Sequence, residues 1–156
     1  MRDMEPGHIK GAYNEKILVF DDGSRRKVLV SEIETLLKDG RLIVSRTDPA
    51  GVITHVNNSF VEMSGYSEKE LVGQPHYILR HPDMPAVAFK DLWVTIQKGV
   101  KWHGYVKNLR KDGGFYWVFA TVIPNIRNGV IAGYTSVRRK PARDKVLECI
   151  KLYPDL

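Results

Sequence analysis

Side chains able to do chemistry gather in two stretches of this 156-residue chain. One is the irregular segment Gln74–Met84, where His76, Arg80, His81 and Asp83 sit among prolines; the other is the strand-like run Trp102–Arg110. If that run is a regular strand, Trp102, Val106, Asn108 and Arg110 share one face. Arginine makes paired charge-assisted bonds to phosphate, and an asparagine amide both donates and accepts. Each of these residues also has a purely structural reading. His81 reads equally as a hydrogen-bonded structural histidine, Asn57 and Asp83 as helix caps, Trp102 as a core or rim aromatic. Trp93 and Trp117 are explained by helical spacing and strand alternation as core packing. The chain holds no nucleophile elbow, phosphate-cradling glycine loop, zinc spacing or triad, so it reads as a non-enzyme.

Composition narrows the class. Lys and Arg number 24 against 18 Asp and Glu, a net charge of +6. The basic residues are spread over Arg25–Lys27, Lys107–Lys111 and Arg138–Lys145, which gives no recognition element for nucleic acid. Part of that charge suits an anionic ligand such as a nucleotide cofactor. The longest strongly apolar stretch, Val118–Ile123, is far short of the roughly 20 residues that span a bilayer, so no membrane span is expected. The N-terminus lacks a secretory apolar run, and the lone Cys149 forbids an internal disulfide, which together predict a cytoplasmic protein.

The elements that must position these residues follow from local signals. Residues 1–40 read as an N-terminal extension: a mobile arm, a hairpin of Lys16–Phe20 and Lys27–Val30, and an amphipathic helix. That helix opens with a Ser31/Glu34 capping box, presents Ile33, Leu36 and Leu37, and closes at Gly40. Residues 41–140 form the main domain. Two strands flank the turn Asp48-Pro49-Ala50-Gly51. A short helix capped by Asn57 ends near Gly65, and Ser67 with Glu70 boxes the next helical turn. A longer helix follows with Phe89, Leu92, Trp93 and Ile96 at i, i+3, i+4 and i+7, and Asp83 is expected to cap it. Three strands joined by Asp112-Gly113-Gly114 and Asn128-Gly129 complete the domain. Residues 141–156 read as a C-terminal tail. The class is α+β, a five-stranded antiparallel sheet with short helices on one face.

Across about Leu42 to Lys140 the chain resembles the PAS family. The resemblance rests on Asp48-x-x-Gly51-x-Ile53-x-x-x-Asn57-x-x-Phe60, then Gly65-Tyr66-Ser67-x-x-Glu70-Leu71-x-Gly73. His81-Pro82-Asp83, Trp102-x-Gly104 and Lys111-x-Gly113-x-x-Tyr116-Trp117 continue it. Through Gly73-Gln74-Pro75-His76, Arg80-His81-Pro82-Asp83-Met84-Pro85 and Lys107-Asn108-x-Arg110-Lys111, it is most similar to the flavin-binding PAS domains of bacterial aerotaxis receptors.

The resemblance implies FAD held non-covalently between sheet and helices, and a redox signal passed to a methyl-accepting-type chemotaxis transducer. On that resemblance Trp102 stacks on the ring and Asn108 meets its edge. Arg80 and His81 lie by the ribityl chain or phosphates, Asp83 fixes their segment, and Trp93 and Asn57 line or brace the pocket. With no transducer helices after the domain, signalling is expected in trans, from a homodimer. A light-sensing cysteine adduct is not expected, because Gln74–Met84 contains no cysteine. Haem is the alternative cofactor, with His76 or His81 as axial ligand, and a ligand-free interaction module is a third reading.

Overall fold

The computed structural model describes residues 1–156. A two-stranded hairpin, β1 (Asn14–Val19) and β2 (Arg25–Val30), precedes a five-stranded antiparallel sheet. The sheet contains β3 (Ile43–Thr47), β4 (Ile53–Val56), β5 (Trp102–Leu109), β6 (Phe115–Arg127) and β7 (Val130–Arg139), in the spatial order β4-β3-β7-β6-β5. Between β4 and β5 lie α1 (Asn58–Ser64), α2 (Glu68–Leu71), a 3₁₀ turn (His76–Leu79) and α3 (Ala86–Gln97). A last helix, α4 (Arg143–Leu152), follows the sheet.

Local chemistry explains most boundaries. The Asn57 carboxamide accepts from Phe60 N at 3.1 Å, and Gly65 ends α1 in the left-handed region at φ 78°. Ser67 and Glu70 form the reciprocal capping box of α2. Asn128 and Gly129 both take positive φ, 51° and 76°, the requirement of a tight turn matched to the twist of β6 and β7. The main core lies between the sheet and the helices, with Ile43, Ile53, Phe60, Leu71, Leu79, Tyr116 and Val118 fully buried.

Three expectations are corrected. Ser31–Gly40 is irregular rather than helical, with one parallel bridge from Glu34 to Phe115. The strand β6 runs four residues past the end of its pairing with β7, because that register begins at Phe119. The backbone edge left open at Phe115 is filled by this segment: Phe115 N donates to Ile33 O at 3.0 Å and Thr35 N to Phe115 O at 2.8 Å. A helix this short is marginal alone, and the ladder bonds outweigh its capping signal. Ile33 and Leu36 are consequently exposed, and only Leu37 enters the core.

The first residues are likewise not a free arm. Met4 is buried against the hairpin, Met4 N donates to Lys27 O at 3.0 Å, and Lys10 N donates to Asp112 O at 3.1 Å. At the other end, the expected tail is a helix packed on the outer face of the sheet. Val146 and Cys149 of α4 bury against Trp117, with Tyr105 and Phe115 alongside, and Tyr153 Oη donates to Tyr105 O at 2.6 Å. The short helices before β5 keep to the inner face, as expected; α4 adds a partial second layer outside.

Val146 is the apolar anchor of that layer. Val146→Ala is expected to lower the unfolding free energy by about 2 kcal/mol, read by urea titration. Amides of α4 would lose hydrogen-exchange protection ahead of those in β6.

Candidate functional site

Strand alternation assembles the site on the inner face of the sheet. Trp102, Gly104, Val106 and Asn108 of β5 stand opposite Val122, Ala120, Val118 and Tyr116 of β6. Across β6, Ala120 and Val122 pair with Arg138 and Ser136 of β7, which pair in turn with Ile43 and Ser45 of β3. The helix α3 crosses this face, and Trp102 Nε1 donates to Asp91 Oδ2 on it at 2.9 Å. Gly104 is required by Trp102 itself: a Cβ there would collide with the indole, because the ring lies along its own strand over residue 104. Of the apolar face of α3, Ile96 is buried while Phe89, Leu92 and Trp93 are half-buried.

At the centre of the face lies a cation without an anion. Arg138 is 2% exposed, and the arginines that pair with carboxylates are Arg41, Arg110 and Arg143. Arg138 donates to Ser45 Oγ at 2.6 Å and to His76 Nε2 at 3.1 Å, and its guanidinium lies 4.8 Å from the centre of the Phe60 ring. Accepting at Nε2 makes His76 the neutral Nδ1–H tautomer. Burial, reinforced by the Arg138 charge, holds His76 down at about 3. Burial also lowers Arg138 to about 10. Two donors of this cluster have no partner: Arg138 Nε and the hydroxyl of Tyr116, which burial pushes up to about 12. Asn108, 5% exposed, pairs with Tyr116 across the β5–β6 ladder. Orphaned donors in a buried face are rare and call for an explanation.

The residues singled out from sequence do not all converge here. Trp102 and Asn108 do. The segment carrying Arg80, His81 and Asp83 wraps the free edge of β5, bridging Arg80 to Asn108 through the backbone and placing Met84 Sδ 3.3 Å from Lys107 N. Arg80 is on the helix side, its guanidinium 5.0 Å from the Phe89 ring, with a buried and unpartnered Nε. His81 turns to the other side, edge-on to Phe115. Its Nδ1 accepts from Asp83 N at 3.0 Å, and burial and the Lys107 charge lower it to about 4. Asp83 does not cap α3, whose first residue follows Pro85 without a side-chain cap; it binds Lys107 Nζ at 2.8 Å. Burial raises the Asp83 carboxyl, but the hydrogen bond and charge of Lys107 prevail and hold it below its ordinary value. Pro85 fixes the entry of α3 by φ alone, which leaves Asp83 free for the lysine.

Trp93 meets the Tyr134 ring edge-on at 5.8 Å and closes over Gly51, so it seats α3 on the β3–β4 turn at the far end of the face. Asn57 ties α1 to β3: besides capping, its Oδ1 accepts from Val44 N at 3.1 Å and its Nδ2 donates to Leu42 O at 2.9 Å. Sequence reasoning missed Arg138, Tyr116, Ser45 and His76 as one cluster. The signal was present in β7, where Tyr134, Ser136 and Arg138 alternate onto one face, but Arg139 and Lys140 made Arg138 look like part of a basic strand end.

Sheet order, helix-covered inner face and edge-wrapping segment together define a PAS domain. A family model described as PAS fold matches residues 53–138, and the chain belongs to that family. It is 46% identical over 127 residues to the Aerotaxis receptor of Escherichia coli (strain K12), covering 81% of this chain and 25% of the receptor. It is 27% identical over 115 residues to the Nitrogen fixation regulatory protein of Klebsiella pneumoniae, covering 73% of this chain and 23% of that one. The chain thus spans about a quarter of the length of these curated relatives. Among solved structures, the light state of the blue-light photoreceptor Aureochrome1 LOV superposes with a TM-score of 0.62 at 23% identity, over 72% of this chain and 90% of that one. That likeness shows the fold. No helix is long and apolar enough to cross a membrane.

Neutral buried histidines make stability depend on pH. His76 binds its proton near pH 3 when folded and near 6.5 when unfolded, so the unfolded state holds more protons in between. Stability is full above about pH 6.5 and is lost as pH falls, by about 1.4 kcal/mol per pH unit for one proton. His76→Gln, which keeps an acceptor for Arg138, should flatten the slope of unfolding free energy between pH 6.5 and 5. His81 adds a second such slope.

Proposed function

We propose that this domain is a redox-responsive sensor that holds FAD non-covalently against the inner face of its sheet. The observation that carries the reading is Arg138, a buried guanidinium with no carboxylate, whose free Nε lies in a face shared with the free Tyr116 hydroxyl. The donor set fits a planar heterocycle whose edge carries carbonyl and ring-nitrogen acceptors. Arg138 Nε and Tyr116 Oη donate, the Asn108 amide donates and accepts, and Trp102, Val106 and Val118 supply flat apolar surface. When bound, FAD supplies reversible uptake of electrons and protons, and its reduced ring carries negative charge near neutral pH. An unopposed buried cation favours the anionic form, so Arg138 would raise the reduction potential and tighten its own bonds as charge appears. Arg80, at the edge of the same face with Nε unpartnered, is suited to the phosphates. His81, Asp83 and Lys107 would act at one remove, by holding the segment that carries Arg80.

The histidines argue against haem. His76 spends Nε2 on Arg138 and Ser45, and His81 spends Nδ1 on the Asp83 backbone. On the flavin reading the domain works in the cytoplasm as a homodimer, without turnover of its own. It hands its state to a methyl-accepting-type chemotaxis transducer. The similarity to the Escherichia coli aerotaxis receptor supports that choice of partner.

The test is the absorption spectrum of freshly purified protein, before and after dithionite. Absorption in the blue that bleaches on reduction is expected; a strong Soret band, or protein that stays colourless after incubation with FAD, sinks the reading. Arg138→Met should lower the potential of the bound flavin and Arg138→Lys should recover part of it. Unchanged potentials in both would remove Arg138 from the argument.

A further inference from the structure

The hairpin that precedes the PAS sheet has one side docked and one side open. On the docked side, Arg26 of β2 donates to Ile78 O at 2.8 Å and to Tyr66 Oη at 3.1 Å, and the Phe20 ring lies 4.4 Å from that of Tyr77. Lys27 of β2 accepts from Met4 N at 3.0 Å, and its own N–H donates to Asp3 Oδ1 at 2.9 Å. The open side is β1, which pairs with β2 alone. Both edges of the five-stranded sheet are covered. The segment Arg80–Met84 wraps β5; along β4, Ile53 N donates to Gln74 O and Gly73 N to Ile53 O, both at 2.9 Å. That leaves β1 with a bare edge, and such an edge is a template for another strand.

Ladder parity decides which groups β1 presents. Phe20 N donates to Ser24 O at 2.9 Å, so Leu18 and Lys16, two and four residues back, are also hydrogen-bonded partners of β2. Lys27, opposite Ile17, turns both its backbone groups away from β1, as that parity requires. The N–H and C=O groups of Glu15, Ile17 and Val19 therefore point outward without a partner. Ile17 and Val19 are each 55% exposed, which gives the edge an apolar flank. Proline and bulges, two devices that blunt an edge, are absent from β1.

We propose that β1 is a homodimer seam, pairing antiparallel with β1 of a second copy about a two-fold axis through Ile17. Charge selects that register among those that overlap most of the strand. A two-fold perpendicular to the sheet keeps each side chain on its own face, so the axis passes through a residue. With Lys16 on the axis, two ammonium groups would stand opposite each other. With Leu18 on it, Glu15 would stand opposite Asp21 of the other copy. Like charges directly opposite are destabilising. With Ile17 on the axis, Ile17 meets Ile17 and Glu15 meets Val19. No like charges are opposed, and every outward N–H and C=O of Glu15, Ile17 and Val19 finds a partner. Glu15 keeps its ion pair with Lys27 at 3.5 Å. The 6 residues of β1 are few against the roughly 20–30 a side of a standard interface, so the dimer is weak and forms with concentration. The proposal rests on the homodimer part of the preceding reading and names its surface; it does not depend on flavin.

The experiment is sedimentation velocity of the full chain from about 10 µM to about 1 mM, with amide hydrogen exchange at both ends of that range. Dimer should build up with concentration. The amides of Glu15, Ile17 and Val19, free in the monomer, should gain about ten-fold protection, while those of Lys16 and Leu18, already bonded to β2, change little. Ile17→Lys, which sets two ammonium groups on the axis, should weaken the dimer about ten-fold. Val130→Lys, at an apolar residue that is more exposed and lies outside the hairpin, should leave it unchanged. A dimer that forms while those three amides still exchange freely, or that is equally strong in Ile17→Lys, overturns the seam and leaves the homodimer reading standing. A chain that stays monomeric throughout overturns both. The flavin spectrum, which Ile17→Lys should not alter, decides the cofactor separately.

Discussion

A guanidinium on the central strand of a sheet, out of water and without a carboxylate, constrains everything packed around it. Removing such a charge from water costs several kcal/mol even after relaxation, so the neighbourhood must return that energy through neutral acceptors and polarisable surface. Ser45, His76 and the Phe60 ring do so for Arg138, and they come from β3, from the 3₁₀ turn and from α1. One side chain thus fixes the approach of two elements, the 3₁₀ turn and α1, to the sheet, and ties β7 to β3 beside it. It also dictates the state of His76, which can accept from Arg138 only while neutral. The remaining Nε and the Tyr116 hydroxyl are the part of the requirement that the chain does not meet with its own atoms.

The free edge of β5 is a second constraint, because an unpaired strand edge invites pairing with another chain. Here the edge is covered by the segment Arg80–Met84, held by the Arg80–Asn108 bridge and the Lys107–Asp83 ion pair. Wrapping an edge sends consecutive side chains to opposite sides of the sheet. That is why Arg80 and His81, adjacent in sequence, do different work: one faces α3, the other lies against Phe115 on the outer side. The hairpin β1–β2 backs this segment through Arg26 and Phe20, so the most irregular stretch of the domain is also among its most firmly braced.

What could be read from the sequence was what is decided locally. The Asn57 cap, the Ser67–Glu70 box and the Asn128-Gly129 turn are each complete within a few residues, and each stands in the structure. The helix expected over Ser31–Gly40 failed because its competitor, the open edge at Phe115, lies far along the chain and becomes available only once β6 outruns β7. Asp83 was misassigned as a cap for a similar reason, since Lys107 reaches it from another element. Trp102 and Asn108 were legible as neighbours on one strand face. Arg138 was not, because burial of a charge at the end of a basic run depends on β7 being central, and strand order is a property of the whole sheet.

The same alternation that builds the inner face connects it to the outer surface. Tyr116, with its unpartnered hydroxyl, points inward, and Trp117, the next residue, points outward into the contact with Val146, Cys149 and Tyr153. On the flavin reading, a change in what Tyr116 and Arg138 bind has only one strand to cross before it reaches α4. Close packing resists continuous deformation, so a shift of β6 is felt at the helix as a change in how Trp117 seats it. Tyr153 Oη, bonded to the backbone of Tyr105, ties the end of α4 to β5, the strand that carries Trp102 and Asn108. The outer helix is thereby fastened to both β5 and β6, and on the flavin reading its docking is the coordinate along which a change of charge inside is read from outside.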